Sequence, residues 1–396
     1  MDMRSAVSQI GKAHHNGKLS RIGELALIDR IRTRAGQSAA QFAKAALRLG
    51  IGDDCALLRP RAGEELAVTT DLSIAGRHFR LDWHAPDAVG HRALARGLSD
   101  LAAMGARPVA AFLSLGLPRE LIGAIGSRGY PWSPIARDQG HLGIRAEYRP
   151  SSSSWADRFL DGFFALAEAY NTPLAGGDLA ESPLAVADIV LVGAVPGGKA
   201  LLRSGARAGD LIYVTGSLGG AAAGVARLEE LAGTSNQART GVARANIARV
   251  KIPRIPKKLE AALAPHLYPQ PRIAQGQWLS RRGLATAALD ISDGLSTDLA
   301  HLCNASGHES RLSAEIDASS LPLHPAAALA QALHGGEDYE LLFTAPADVS
   351  VPRSIAGVPV TRIGRMVRHR AGKPQMVLIT ERGREPLVPK GWEHFA

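Results

Sequence analysis

Two α/β-type domains are predicted for this chain, from three observations. Its 396 residues exceed what one hydrophobic core ordinarily supports. Apolar runs of period two alternate with runs of period 3.6 along most of the sequence, as strands interleaved with helices do. A glycine-rich turn, Pro196-Gly197-Gly198-Lys199, followed by Gly205 to Gly209, breaks both periodicities near the middle. The predicted division is a polar N-terminal arm at 1–20, a first domain at 21–196 and a second at 197–396.

Taken in order, residues 66–71 alternate as a strand that ends in Thr69-Thr70-Asp71. Residues 86–104 follow as a helix. Pro86 suits its first turn, Leu94, Leu98 and Leu101 share one stripe, and Gly105 stands where a left-handed terminal residue belongs. Residues 109–117 form the next strand, and 155–170 a second helix. Further strands are expected at 189–195, 211–215, 287–291, 339–344 and 358–363. Three stretches lack clear patterning: the arm, the basic segment 234–258, and 119–154, where Gly, Pro and Arg precede four consecutive serines. The last is read as an atypical insertion in the first domain.

Composition excludes several classes. The chain is 46% hydrophobic but has no apolar run of eighteen residues, so no membrane partner is expected. Its first twenty residues, with Lys12, His14, His15 and Lys18, lack the apolar core of a signal peptide, and a cytoplasmic location follows as the expectation. The two cysteines, Cys55 and Cys303, fall in apolar segments and are expected to be buried, reduced thiols. The net charge of +9 comes from arginines scattered along the chain, which predicts a solvated basic surface and no nucleic-acid partner.

The informative residues are aspartates. Asp53-Asp54, Asp71, Asp100, Asp178, Asp290 and Asp293 each end an apolar segment beside Gly, Ser or Thr. Strand-end loops are where α/β proteins assemble sites, and hard carboxylate oxygens suit Mg²⁺ together with substrate phosphates. Any one of these aspartates could simply cap a helix or turn; the set points to phosphoryl transfer, which needs positive charge around the donor oxygens and in-line geometry. An acceptor that is itself a phosphate monoester, with its second pKa near ~6, needs no general base. There is no Gly-x-x-x-x-Gly-Lys-Ser/Thr loop. Thr215-Gly-Ser-Leu-Gly-Gly220 departs from the dinucleotide fingerprint and is read as a tight packing turn. On spacing alone, Gly335-Gly-Glu-Asp-Tyr-Glu340 is as readily an acidic turn as a binding loop, and His78 a surface histidine.

As an ordered set, Gly52-Asp-Asp-Cys-Ala56, Thr69-Thr-Asp71, Gly76-Arg-His-Phe79, Leu98-Ser-Asp-Leu-Ala-Ala-Met-Gly105, Gly176-Gly-Asp178, Leu202-Arg-Ser-Gly-Ala206, Asp290-Ile-Ser-Asp-Gly294, Gly335-Gly-Glu-Asp-Tyr-Glu-Leu341 and Ile363-Gly364 resemble the thiamine-monophosphate kinases. The resemblance implies a PurM-like α/β (α+β) architecture, with an N-terminal ATP- and Mg-binding dimerisation domain and a C-terminal α/β domain. It further implies a homodimer that uses ATP and several Mg²⁺ ions to convert thiamine monophosphate to thiamine diphosphate. Carried over by position, Asp54, Thr69, Thr70, Asp71, Asp100, Asp178, Asp290 and Asp293 would contact magnesium, with Asp100, Asp178 and Asp293 at the chemistry. Gly177, Asp178, Arg203 and Ser292 would meet ATP; His78, Glu337 and Trp392 would form the thiamine-phosphate side. An indole face can attract the cationic thiazolium. Leu179 and Ala180 depart from the family, which usually has threonines after Gly-Gly-Asp. A sister enzyme of the same superfamily, such as aminoimidazole ribonucleotide synthetase or selenophosphate synthetase, and a catalytically weak nucleotide-binding protein are the alternatives.

Overall fold

The computed structural model describes residues 24–42, 46–122, 136–138, 141–143, 154–232, 259–307 and 312–392. The arm at 1–20 and the segment 234–258 lie outside them, as does most of 119–154. The first half comprises α1 (Glu24–Phe42), a short ribbon of β1 (Leu47–Leu49) and β2 (Leu57–Leu58), then β3 (Glu64–Ile74), α2 (Pro86–Ala103) and β4 (Arg107–Leu117). A small pair, β5 (Ala136–Asp138) and β6 (His141–Gly143), precedes α3 (Trp155–Ala169), β7 (Leu174–Glu181) and β8 (Val186–Pro196). The order β3-β8-β4-β7 makes a four-stranded sheet in which only β4 and β7 run parallel.

The predicted strand–helix–strand unit is present, with Pro86 in the first turn of α2 and Gly105 left-handed beyond its end. Leu94, Leu98 and Leu101 of α2 pack with Phe159 and Phe163 of α3 onto Leu113, Leu115, Ile189 and Leu191 of the sheet. The two helices cross very closely because each offers a glycine there. A Cβ on Gly90 would lie 1.9 Å from the Phe159 carbonyl oxygen, and one on Gly162 1.8 Å from that of Asp87. Beside the crossing, buried Arg158 pairs with Asp87 at 2.7 Å, and the Tyr268 hydroxyl donates to the other Asp87 oxygen. The last of the four serines, Ser154, is a helix cap: its Oγ accepts from the Asp157 amide while Asp157 accepts from the Ser154 amide.

The second half contains β9 (Leu211–Thr215), α4 (Gly220–Ala232), α5 (Glu260–Leu267), α6 (Ile273–Arg282), β10 (Ala287–Asp290), α7 (Leu295–Ser306) and β11 (Leu312–Asp317). After α8 (Leu329–His334) come β12 (Leu341–Ala345), β13 (Ser354–Ile355), β14 (Val358–Arg368), β15 (Met376–Thr380) and β16 (Gly383–Pro386). They form one sheet in the order β10-β12-β9-β14-β11-β15-β16, with β13 on β14. Ile212, Val214, Leu289 and Leu342 pack under Leu295, Leu299 and Leu302 of α7. The opposite face, through Tyr213, Ala288 and Phe343, joins the core around α2. Helix α2 thus lies between the two sheets, and this placement assembles the site.

Two expectations are corrected. Cys303 is buried but Cys55 is exposed, because the Gly52–Ala56 segment is a turn rather than an apolar strand. The aspartates are also not all in strand-end loops: Asp71 and Asp178 lie inside β3 and β7, and Asp100 in the last turn of α2.

Candidate active site

Strand alternation decides which side chains of β3 enter the interior. Thr69, Asp71 and Ser73 turn toward α2, whereas Val68, Thr70 and Leu72 face outward and are exposed. On α2, Arg92, Arg96 and Asp100 recur every fourth residue and share one face. The Thr69 hydroxyl donates to Asp100 Oδ2, and Arg96 Nη2 lies 2.8 Å from Asp71 Oδ1. Asp290, ending β10, reaches the same place from the other sheet, its Oδ2 accepting from the Ser99 hydroxyl at 2.6 Å.

Three carboxylates therefore converge from β3, α2 and β10, and their ionisation shows the strain. Burial, partly offset by Arg96 and reinforced by Asp100, pushes Asp71 up to about 6. Burial and then the charge of Asp100 push Asp290 up to about 7. Burial also raises Asp100, against the Thr69 hydrogen bond and the charges of Arg96 and Arg203. Such crowding is relieved by a bound cation, and a donor set of carboxylates and hydroxyls fits a hard one.

Asp293 belongs to the loop after β10. Asp298 Oδ2 accepts from the amides of Ser292, Asp293 and Gly294 at 3.0–3.1 Å, which fixes that loop over the start of α7. The Glu337 amide donates to the Ser292 carbonyl at 2.8 Å, and the Trp392 amide to that of Asp293 at 3.1 Å. The Gly-Gly-Glu-Asp-Tyr-Glu segment and the C-terminal tryptophan are in this way both laid against the Asp293 loop. Glu337 is held by Arg92 Nη2 at 2.7 Å and faces His266 Nδ1 at 3.3 Å. Burial would raise its carboxyl, but Arg92 and His266 outweigh burial and hold it well below the usual range. Behind it His266 Nε2 meets His84 Nε2 at 2.9 Å; burial and Arg92 push His266 down to about 4.

The remaining predicted residues are spread more widely. His78 is half-buried, accepting from the Ile74 amide, and lines a small pocket with Arg92 and Arg96. Arg203 is exposed, with its charge felt at Asp100. Asp54 is exposed beside Asp53, whose carboxylate accepts the Asp54 amide. Gly177 and Asp178 are exposed within β7, and Asp178 accepts from the Leu179 amide. The Asp54 amide and the Asp178 carboxylate are bonded to their sequence neighbours, and Thr70 is exposed on the outward face of β3, whereas Asp71, Asp100 and Asp290 converge. The Thr215–Gly220 turn is a packing turn as expected: Asp338 fills the start of α4, accepting from the amides of Gly219 and Ala221. Sequence reasoning missed Arg92, Arg96, Ser99, His266 and Asp298. The first two were findable, since they precede Asp100 by two turns and one turn.

Comparison with known proteins decides the family. Thiamine-monophosphate kinase of Escherichia coli K12 is 38% identical over 384 residues, spanning 94% of this chain and 98% of that protein. The chain belongs to the thiamine-monophosphate kinase family. The family pattern of the AIR synthase related protein N-terminal domain also matches residues 52–133 and 139–197. The crystal structure of thiamine-monophosphate kinase from Stenotrophomonas maltophilia is 36% identical, covers 90% of this chain and 96% of its own, and superposes with a TM-score of 0.64. A structure of AaThiL complexed with AMPPCP and TMP is 28% identical, with coverage of 96% and 100% and a TM-score of 0.62. The chain thus has the PurM-like fold of this kinase family.

Proposed function

We propose that this chain is an ATP-dependent kinase that phosphorylates thiamine monophosphate to thiamine diphosphate by direct in-line transfer. The observation that carries this reading is the convergence of Asp71, Asp100 and Asp290 from both sheets, beside the loop that Glu337 and Trp392 touch. Membership of the kinase family supports it, as does the relative bound to AMPPCP and TMP.

Magnesium is the cation that this donor set fits. Asp71, Asp100, Asp290 and Asp293, with the Thr69 hydroxyl, would hold it, and Asp54, Thr70 and Asp178 at the exposed edge complete the proposed set. When bound, it neutralises the phosphate oxygens of donor and acceptor. Gly177, Asp178, Arg203 and Ser292 are assigned to ATP, and His78, Glu337 and Trp392 to thiamine monophosphate. Asp100, Asp178 and Asp293 are assigned to the chemistry on the same reading. An acceptor phosphate is largely ionised at neutral pH, so the residues must align two anions rather than remove a proton.

The division into domains near Gly197 belongs to the same reading: among the described residues, no sheet takes strands from both sides of it. So does a homodimer formed by the first half. Leu66, Val68 and Leu72 are 47%, 62% and 45% exposed on the outward face of edge strand β3, an apolar patch that a second copy would cover. No helix among the described residues is long and apolar enough to cross a membrane. A cytoplasmic location is proposed because ATP, the co-substrate, is supplied there.

The test is formation of ADP and thiamine diphosphate from ATP, Mg²⁺ and thiamine monophosphate, with thiamine and no acceptor as controls. Product from the monophosphate alone is expected. Folded protein that forms none would refute the assignment.

A further inference from the structure

Arg92 and Arg96 stand one turn apart on α2 and line the same small pocket with Ser73 and His78. Their surroundings differ. Arg92 is held on several sides, by Glu337 Oε1 at 2.7 Å and by the carbonyl oxygens of His78 at 3.1 Å and His266 at 2.7 Å. Arg96 has its close contact with Asp71 at 2.8 Å, and beyond that a long one of 3.4 Å to Ser73 Oγ. Asp71 is a carboxylate assigned above to a divalent cation. A cation held by Asp71 would compete with the guanidinium for that carboxylate, and Arg96 also lines the pocket beside His78.

We infer that Arg96 recognises the phosphate of the acceptor and is what distinguishes a phosphate monoester from the corresponding alcohol. A guanidinium presents paired donors that match phosphate oxygens, whereas an uncharged hydroxyl offers it no ionic partner. Arg96 neutralises Asp71 in this structure; with Asp71 engaged by a cation, Arg96 would be available to pair with the phosphate of the acceptor. Arg92 could do this only by giving up its 2.7 Å contact with Glu337 Oε1 and its bonds to the carbonyls of His78 and His266. The inference rests on the kinase reading above and names how the acceptor is selected.

The experiment is calorimetric binding of thiamine monophosphate, thiamine and ATP to the full chain in Mg²⁺, comparing wild type with Arg96→Gln and Arg96→Lys. Wild type is expected to prefer the monophosphate over thiamine. Arg96→Gln should weaken the monophosphate by about tenfold or more while thiamine and ATP bind as before. Arg96→Lys, which keeps the charge without the paired donors, should recover part of the loss. Equal weakening of thiamine and its monophosphate would show a collapsed pocket and overturn the assignment, as would unchanged monophosphate affinity. Wild type that neither binds nor phosphorylates the monophosphate would instead overturn the kinase reading, and this inference with it.

Discussion

Asp290→Asn should make the metal-free protein more stable while weakening its response to magnesium. The Asp290 carboxyl is buried against Asp100 and Asp71 and sits at about 7 instead of its ordinary 3.8. Ionising it in the folded state at neutral pH therefore costs on the order of 4 kcal/mol relative to the unfolded chain. Part of that cost is shared with its two neighbours, so about 1–3 kcal/mol is recoverable by the neutral amide. The amide oxygen can still accept from Ser99, which leaves the hydrogen bond at 2.6 Å in place. The sign with pH follows from the raised value. Wild-type stability is lost as pH rises from about 4 to about 7, while the variant escapes that loss. Urea unfolding without metal at pH 4.5, 6 and 8 should give curves that nearly coincide at the lowest pH and separate at the highest, the variant having the higher midpoint. Added Mg²⁺ should then stabilise wild type more than the variant. A variant that is less stable than wild type at pH 8 without metal would refute the view that this cluster stores repulsion for a cation to relieve.

Asp298→Ala leaves three loop amides without their shared acceptor and should cost about 2–3 kcal/mol in urea unfolding. ATP turnover should fall because Ser292 and Asp293 lose their fixed position; unchanged kinetics would deny the loop a role. Trp392 is half-exposed, so Trp392→Ala should leave stability within about 0.5 kcal/mol. It should raise KM for thiamine monophosphate but not for ATP, and a matching rise for both would remove it from the acceptor side. Val68→Glu places a charge at the centre of the exposed β3 patch; sedimentation should show the variant as monomer and wild type as dimer, and identical masses would argue against that interface.

The ordered motifs sufficed for the family and the fold because they are local strings, and periodicity placed α2, α3 and the strands it named to within about five residues, while β1, β2, β5, β6, β7, β11, β13, β15 and β16 were not foreseen. The helix carrying Asp100 was legible for a simple reason: its apolar stripe, first-turn proline and terminal glycine are all local signals. Strand β7 was not, since the glycines of Gly176-Gly177-Asp178 read as a loop until pairing with β4 extended them. Exposure of Cys55 was likewise hidden, because its apolar neighbours say nothing of the turn that carries it. Which aspartates meet was not legible in spacing or periodicity and was implied only by the family resemblance. Asp71, Asp100 and Asp290 are 29 and 190 residues apart in succession, and only the burial of α2 between two sheets brings them within reach of one another. The same packing brings the Thr69 hydroxyl to Asp100, by the alternation of β3, and sets Arg96 against Asp71. Sequence determined the chemistry available, through residue type and local periodicity; tertiary structure decided which charges share a low-dielectric space, because contact between distant segments is created by core packing and is written in no single stretch of the chain.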